Sequence, residues 1–314
     1  MKREVEILLA EPRGFCAGVE RAIEILERVI QIYGAPIYVK HEIVHNAHVV
    51  NYFENRGVIF IESPEEVPEN SILILSPHGV SKSIEQKTRA KCRLVIDSTC
   101  PLVKKVHREI ERYEQKKRQI IIVGTAKHPE IEGTAGQINS ETTLVQSLQD
   151  VYRLKIPRDT PVAYVTQTTL SLDDTKEIIA ALKELFVDII GPDTKDVCYA
   201  TQNRQDAAKE LAGLVDLVLV IGGLNSSNSN KLRDIAARIQ KKSHLIRDYR
   251  DIKSAWLRNV KKIGVTSGAS TPEYLVEQVI SYLKTLFQVR VGAIGHIKEN
   301  VHFKLPAEVQ YDSV

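Results

Sequence analysis

Three cysteines, Cys16, Cys100 and Cys198, occupy the same kind of position along the chain and could together bind a metal. They are separated by 84 and 98 residues, and each interval matches the length of a small α/β domain. Each cysteine follows a predicted strand, a weaker one for Cys198, and stands where a helix is predicted to begin. Backbone N–H groups and the helix dipole stabilise a thiolate at a helix N-terminus. The pattern predicts one metal centre shared by three repeated units.

The alternative is that these cysteines are core residues. An isolated cysteine usually packs as a small hydrophobic side chain, and the chain has no C-x-x-C pair of the kind that marks many metal sites. All three lie in loops at the carboxyl ends of predicted strands, where α/β sheets bind ligands, and this favours the shared site. The fourth cysteine, Cys92, has no comparable loop and is predicted to be a buried or partly buried thiol.

Small polar side chains follow five other predicted strands and could bind an anion. Hydroxyl, amide and imidazole groups in loops at helix N-termini present donors to an anion, which allows phosphate binding without a Walker lysine. Neither a Walker A motif nor a GxGxxG motif occurs, so nucleotide binding is unsupported. A single Ser, Thr or Asn before a helix is an ordinary N-cap, but NSSNSN offers six polar residues where a cap needs one. The side chains concerned are His78, His128, Glu130, Thr168, Asn225, Ser226, Ser227, Asn228 and Ser270.

The segment HEIVHNAHVV contains three histidines and raises the alternative of a zinc site. These histidines straddle a predicted strand-to-helix turn, so no single helix face would gather them. We predict that His45, at the turn, contacts the anion, and that His41 and His48 are structural. Glu130, beside His128, is the best candidate for a general acid, the alternative being a first-turn carboxylate favoured by the helix dipole.

Short strands alternate with helices along the whole chain, which predicts an α/β fold with mostly parallel sheets and right-handed crossovers. We expect three pseudo-symmetric small α/β units, at residues 1–98, 99–196 and 197–290, followed by a tail, 291–314, that packs on the body. Strands are predicted near 4–10, 36–40, 57–61, 71–76, 93–97, 119–123, 160–166, 215–221 and 261–266. Helices are predicted near 17–33, 46–56, 101–117, 173–186, 203–213, 229–241 and 272–287.

Composition excludes several classes of protein. The net charge of +3 is too small to indicate nucleic-acid binding. No apolar run approaches the roughly 18 residues needed to span a bilayer, and the first residues lack the apolar core and cleavage site of a signal peptide. These features predict a cytoplasmic protein with neither a membrane nor a nucleic acid as partner. In that compartment, thiols bind metal or do chemistry more often than they form disulfides.

The loops described above resemble those of one enzyme family, the 4-hydroxy-3-methylbut-2-enyl diphosphate reductases, which catalyse the last step of the methylerythritol phosphate route to isoprenoids. The resemblance covers nearly the whole chain and extends to ENVHFKLP near its C-terminus. The segments that carry it, in order, are EPRGFCAGVERAI, HEIVHN, SPHGVS, DSTCPLVKKVH, HPEIEGT, TQTTLSLDDT, DVCYATQNRQ, GGLNSSNSNKL and GVTSGASTP.

The resemblance implies a 4Fe–4S cluster at the centre of the three units, with Cys16, Cys100 and Cys198 as its three protein ligands. One iron is then open and acts as the Lewis acid that binds the substrate's hydroxyl. Glu130 is implied as the proton source, with Thr168 and His128 beside it near the leaving hydroxyl. The residues implied to hold the diphosphate are His45, His78, Ser226, Ser227, Asn228 and Ser270.

The chain departs from the family's pattern at two positions next to His128. The family usually has glycine where this chain has Lys127, and often histidine where it has Thr125. Neither is a ligand position, so the departures bear on local charge and flexibility alone.

The implied reaction is a reductive dehydroxylation that yields isopentenyl and dimethylallyl diphosphate. The chain has no nicotinamide or flavin motif, so a small carrier such as ferredoxin or flavodoxin is expected to deliver electrons one at a time. Two alternatives stay open at the level of sequence. One is a non-redox iron–sulfur dehydratase, and the other is a metal-binding sensor without turnover.

Overall fold

The computed structural model of the protein describes residues 2–192 and 196–310, and it is an α/β fold with three parallel sheets. The strands are β1 (Glu4–Ala10), β2 (Ile37–Lys40), β3 (Val58–Ile61), β4 (Ile72–Leu75), β5 (Leu94–Asp97), β6 (Gln119–Val123), β7 (Thr142–Val145), β8 (Val162–Thr166), β9 (Ile189–Ile190), β10 (Leu217–Ile221), β11 (Ser243–Ile246), β12 (Lys262–Ser267) and β13 (Gln288–Ile294).

Helices follow most of these strands, as right-handed βαβ crossovers require. They are α1 (Ala17–Tyr33), α2 (Ala47–Glu54), α3 (Lys82–Lys91), α4 (Pro101–Gln115), α5 (Pro129–Ala135), α6 (Leu148–Tyr152), α7 (Leu172–Leu185), α8 (Tyr199–Leu214), α9 (Ser227–Ile239) and α10 (Glu273–Leu286). All seven predicted helices and all nine predicted strands are confirmed, with ends that differ by a few residues. The prediction missed β7, β9, β11, β13, α3, α5 and α6.

The described residues form two compact lobes. Lobe 1 comprises the described residues within Met1–Ala17, His45–Val49 and Tyr199–Val301, and contains the five-stranded sheet in the order β11-β10-β12-β1-β13. Lobe 2 comprises the described residues within Gly18–Val44, Val50–Cys198 and His302–Val314, and contains two four-stranded sheets, β3-β2-β4-β5 and β7-β6-β8-β9. Every strand pairing is parallel.

The central strands are apolar because helices cover both of their faces. In β10 of lobe 1, Leu217, Leu219 and Ile221 pack into one core cluster, while Val218 and Val220 pack into another on the opposite face. Strand β6 of lobe 2 divides its residues between two clusters in the same alternating way. The sheets are therefore rigid supports for the loops at their carboxyl ends.

The three sheets draw their strands from different parts of the chain. β1, near the start of the chain, pairs with β12 and β13 in lobe 1. The sheet β3-β2-β4-β5 lies within residues 1–98, and the sheet β7-β6-β8-β9 lies within residues 99–196. The expected tail at 291–314 begins inside β13, which continues to Ile294 as an edge strand. In the part of the chain that the structure describes, no helix has both the length and the apolar character needed to cross a membrane.

Candidate active site

The three cysteines stand where helices begin, as the sequence predicts. Cys16 directly precedes α1, Cys100 is the N-cap of α4, and Cys198 directly precedes α8. Each side chain is partly exposed. Pro101 at the first position of α4 costs no hydrogen bond, because the N–H of that position has no intrahelical partner.

A backbone hydrogen bond ties each cysteine to the loop after a neighbouring strand. The N–H of Cys16 donates to Ala269 O (3.3 Å), that of Cys100 to Pro77 O (3.0 Å), and that of Cys198 to Thr168 O (3.0 Å). Each acceptor either adjoins or is a predicted substrate-binding residue: Ala269 precedes Ser270, Pro77 precedes His78, and Thr168 is itself one. The same arrangement is thus built three times, once in lobe 1 and twice in lobe 2.

Lobe 2 brings Glu130 and Thr168 together. Glu130 is 3% exposed, and its two carboxylate oxygens accept hydrogen bonds from Thr168 N (2.7 Å) and Thr168 Oγ1 (3.0 Å). His128 caps α5, and its Nδ1 accepts from Glu130 N (3.2 Å). The His128 ring meets the His78 ring edge to face, with centroids 5.8 Å apart. Contacts therefore run from the Cys100 loop through the two histidines to Glu130, Thr168 and Cys198.

Close backbone approach holds α5 against the His78 loop. A Cβ on Gly133 would lie 2.9 Å from Gly79 O, so only glycine fits there without displacement. Lys127, at one of the two departures from the family pattern, has a left-handed backbone with φ of 61°. Glycine adopts that conformation without steric cost, which is a physical reason for the family's preference.

Lobe 1 contains five of the six predicted diphosphate contacts. Ser226 caps α9, its Oγ accepting from Ser229 N (3.3 Å), and Ser270 Oγ donates to His45 O (3.4 Å). Asn228 is 5% exposed, and neither its Oδ1 nor its Nδ2 has a hydrogen-bond partner among the described residues. A buried amide without partners costs about 1–3 kcal/mol, which makes this side chain a candidate ligand contact. Ser227 lies beside it at the start of α9 and is partly exposed.

Two glycines bring the loops of lobe 1 together. A Cβ on Gly268 would lie 2.1 Å from Ser229 Oγ and 3.4 Å from Asn228 Nδ2. A Cβ on Gly223 would lie 2.2 Å from His45 O. The loops after β10 and β12 and the His45 turn therefore contact one another only because these two positions lack side chains. His78, the sixth predicted diphosphate contact, belongs to lobe 2 and lies beside His128.

The other two histidines of HEIVHNAHVV have structural contacts. His48 Nε2 lies 3.1 Å from Asp248 Oδ2, and a hydrogen bond from Arg250 holds the pKa of Asp248 well below its usual range. His41 contacts Glu62, with Nδ1 and Oε2 2.6 Å apart, and burial and the neighbouring Lys40 lower the pKa of His41. Among residues 2–192 and 196–310, no group of three or more His, Cys, Asp or Glu side chains is arranged to hold a single metal ion.

Sequence reasoning missed three basic residues that contact the cysteine loops: Arg21 of α1, Lys105 of α4 and Arg204 of α8. Burial lowers the pKa of Arg21, while Asp97 and Cys100 act in the opposite direction and favour its charged form. The signal in the sequence is their spacing, five, five and six residues after Cys16, Cys100 and Cys198.

The donor chemistry fits an iron–sulfur cluster. Thiolates are the usual ligands of such clusters, and the three thiols are partly exposed and stand at helix N-termini, where the helix dipole favours negative charge. Because a cluster binds its thiolates at separate iron atoms, the lack of a single-ion site among the described residues does not bear on it.

Known proteins resemble this chain over almost its full length. The family model described as LytB protein matches residues 7–284. A 4-hydroxy-3-methylbut-2-enyl diphosphate reductase from Burkholderia pseudomallei is 52% identical over 305 residues, covering 97% of each chain. One from Bradyrhizobium diazoefficiens is 50% identical over 305 residues, covering 97% of this chain and 99% of the relative.

A solved structure agrees with these sequence relatives. The E-1-hydroxy-2-methyl-but-2-enyl-4-diphosphate reductase from Plasmodium falciparum superposes with a TM-score of 0.90 at 38% identity, covering 98% of this chain and 96% of that one. A second solved reductase of the non-mevalonate pathway gives a TM-score of 0.64 at 34% identity, covering 90% of this chain and 99% of that one. The fold, the cysteine positions and these matches together show that the chain belongs to the LytB protein family.

Proposed function

We propose that this protein is a 4-hydroxy-3-methylbut-2-enyl diphosphate reductase, an iron–sulfur oxidoreductase of isoprenoid biosynthesis. It consumes two electrons and two protons, breaks the C–O bond of the substrate's hydroxyl, and releases water with isopentenyl or dimethylallyl diphosphate. The observation that carries the proposal is the hydrogen bond from each cysteine N–H to a loop of predicted substrate contacts. In each of the three copies, a proposed metal ligand is thereby bonded to a loop that carries a proposed substrate contact.

Cys16, Cys100 and Cys198 are the proposed ligands of one 4Fe–4S cluster, and Cys92 is not a ligand. When bound, the cluster supplies electrons one at a time, and its iron without a cysteine ligand supplies a Lewis acid. Burial raises the pKa of the Cys92 thiol, which disfavours the thiolate that a metal needs.

The diphosphate is the proposed ligand of the polar loops in lobe 1. The amide of Asn228 lacks partners among the described residues and can donate to a phosphate oxygen. Ser226, Ser227 and Asn228 stand at the N-terminus of α9, where the helix dipole favours negative charge. His45, Ser270 and His78 complete the proposed set.

Glu130 is the proposed proton donor. The two hydrogen bonds from Thr168 fix its carboxyl group in one orientation, and its burial keeps bulk water from competing for the proton. His128 orients the first turn of α5 through the N–H of Glu130. Thr168 also accepts from Cys198 N, so the proton donor and a cluster ligand share one support.

Electrons must come from another protein, because the sequence carries no nicotinamide or flavin motif. A ferredoxin or a flavodoxin is the proposed donor, and a cytoplasmic location is proposed from the sequence features given above. Neither a nucleic acid nor a membrane has a part in the proposed reaction.

Iron and sulfide quantitation on four cysteine variants tests the ligand set. Cys16→Ser, Cys100→Ser and Cys198→Ser should each lose most of the cluster after anaerobic purification, and Cys92→Ser, the matched control, should keep it. Full cluster content in Cys198→Ser would refute the three-ligand proposal.

Electron paramagnetic resonance and product analysis test the reaction. The parent protein should give a cluster signal on reduction and should form both products only with a reductant present. Turnover of the diphosphate without reductant would assign a non-redox dehydratase. A cluster that forms but never turns over with reductant would assign a sensor.

A further inference from the structure

A buried arginine donates hydrogen bonds to the loop before Cys100. Arg21 is 8% exposed and extends from α1, the helix that follows Cys16. Its Nη1 donates to Ser98 O (3.1 Å) and Thr99 O (3.3 Å), the two carbonyls directly before Cys100. Its Nε donates to Lys304 O (2.8 Å) in the C-terminal segment.

A second buried arginine donates hydrogen bonds to the loop before Cys16 in the same way. Arg204 is 1% exposed and extends from α8, the helix that follows Cys198. Its Nη2 donates to Gly14 O (2.9 Å) and Phe15 O (3.0 Å), the two carbonyls directly before Cys16. Its Nη1 lies 3.0 Å from both carboxylate oxygens of Glu299, also in the C-terminal segment.

The third copy has a corresponding contact through a side chain. Lys105, on the helix that follows Cys100, donates from Nζ to Asp196 Oδ1 (3.2 Å), two residues before Cys198. The order is cyclic along the chain: the helix after the first cysteine holds the second loop, the helix after the second holds the third, and the helix after the third holds the first.

We propose that Arg21 and Arg204 are positioning residues for the cluster ligands Cys100 and Cys16. Each guanidinium fixes two successive carbonyls and so sets the direction in which the following cysteine leaves its loop. The inference rests on the proposed cluster, and it adds that each ligand is oriented by the helix of a different copy.

The test compares four variants with one matched control. Arg21→Met and Arg204→Met remove the charge and the fork of donors but keep the apolar stem, and Arg204→Lys keeps the charge alone. Glu299→Gln weakens the contact that holds the Arg204 guanidinium and leaves the residues of the Cys16 loop unchanged. This variant replaces Arg204→Met in the comparison if Arg204→Met does not fold. Arg118→Met is the control, because Arg118 also binds a carbonyl, Val162 O, and a carboxylate, Asp188, but contacts no cysteine loop.

Iron release to a chelator under anaerobic conditions is the main measurement, with urea unfolding of each apo-protein beside it. Loss of residues that orient metal ligands typically weakens metal binding about 10- to 100-fold, so both Met variants should release iron faster by a factor of that order. Arg204→Lys and Glu299→Gln should fall between the parent and Arg204→Met, with an altered paramagnetic resonance spectrum. Arg118→Met should release iron at the parental rate even if its apo-protein is equally destabilised.

Parental iron release in both Met variants would overturn the inference. It would also be overturned if Arg118→Met released iron as fast as they do, because release would then report stability alone. A parent protein that holds no cluster would instead refute the proposed function, so the two failures are distinguishable.

Discussion

Replacing Glu130 by Gln should separate proton donation from binding. Gln has the size of Glu, and its Oε1 can accept the hydrogen bond from Thr168 N, which is 2.7 Å long in the parent. Its Nε2 can donate to Thr168 Oγ1, which lies 3.0 Å from the other oxygen of Glu130. The variant should therefore keep its fold, its cluster and its substrate affinity.

The expected loss is in kcat. A positioned general acid contributes about 10²- to 10⁴-fold, which corresponds to about 3 to 5 kcal/mol in the activation barrier. Because Glu130 is only 3% exposed, bulk water has little access to the position of its carboxyl group. We therefore expect a decrease within this range and little change in Kd.

Single turnover with a chemical reductant and saturating substrate measures the chemical step directly. Glu132→Gln is the matched control, because Glu132 lies in the same first turn of α5 but is exposed. Parental turnover in Glu130→Gln would refute the assignment and make Glu130 a helix-start carboxylate. The proton would then come from His128, Thr168 or the substrate's own diphosphate.

Two further predictions concern binding and pH. Asn228→Ala should weaken substrate binding about 10- to 150-fold in a calorimetric titration, because a charge-assisted hydrogen bond contributes about 1.5–3 kcal/mol. The variant should not destabilise the apo-protein. Equal affinity of the parent for the diphosphate and for the free alcohol would contradict the prediction. Burial lowers the pKa of His107 from 6.5 to about 4. Between pH 6.5 and about pH 4, His107 is therefore protonated in the unfolded chain but neutral in the folded chain. The free energy of unfolding should fall by about 3 kcal/mol as the pH is lowered through this range. In urea unfolding of the apo-protein, His107→Gln should lack this part of the pH dependence, whereas the exposed control His296→Gln should retain it. If the free energy of unfolding has the same slope against pH in the parent and in His107→Gln, the assignment is refuted.

The loops of the site were predictable because they follow a local pattern. A strand, a polar loop and a helix stand in sequence around Cys16 and Cys100, and the density of polar residues in NSSNSN exceeds what a helix cap needs. The pairing of β1 with β12 and β13 was not predictable, because strand order in a parallel sheet depends on contacts between distant segments. β9, with two residues, is too short to give a periodic signal.

The two arginines that bind the loops before Cys100 and Cys16 were missed for a different reason. An arginine in an amphipathic helix usually extends into solvent, so Arg21 and Arg204 are ordinary helix residues when the sequence is considered alone. The carbonyls that they bind before Cys100 and Cys16 lie 77 and 190 residues away, and every residue type supplies a main-chain carbonyl. The local signal is the number of residues between each cysteine and the basic residue on the following helix. This spacing can be interpreted only when the hydrogen-bond acceptors are known.

In the third copy, a side chain rather than the backbone accepts the hydrogen bond from the basic residue. Cys100 follows a four-residue strand, β5, whose loop offers two carbonyls to Arg21, whereas β9 has only two residues. Before Cys198, the fully buried carboxylate of Asp196 accepts from Lys105 on one oxygen and from Thr166 N, at the end of β8, on the other. One side chain thus binds the helix cation and fixes the loop to the sheet. The sequence around Cys198 has the weakest strand pattern of the three. In this copy a carboxylate accepts from the basic residue, where main-chain carbonyls do so in the other two copies.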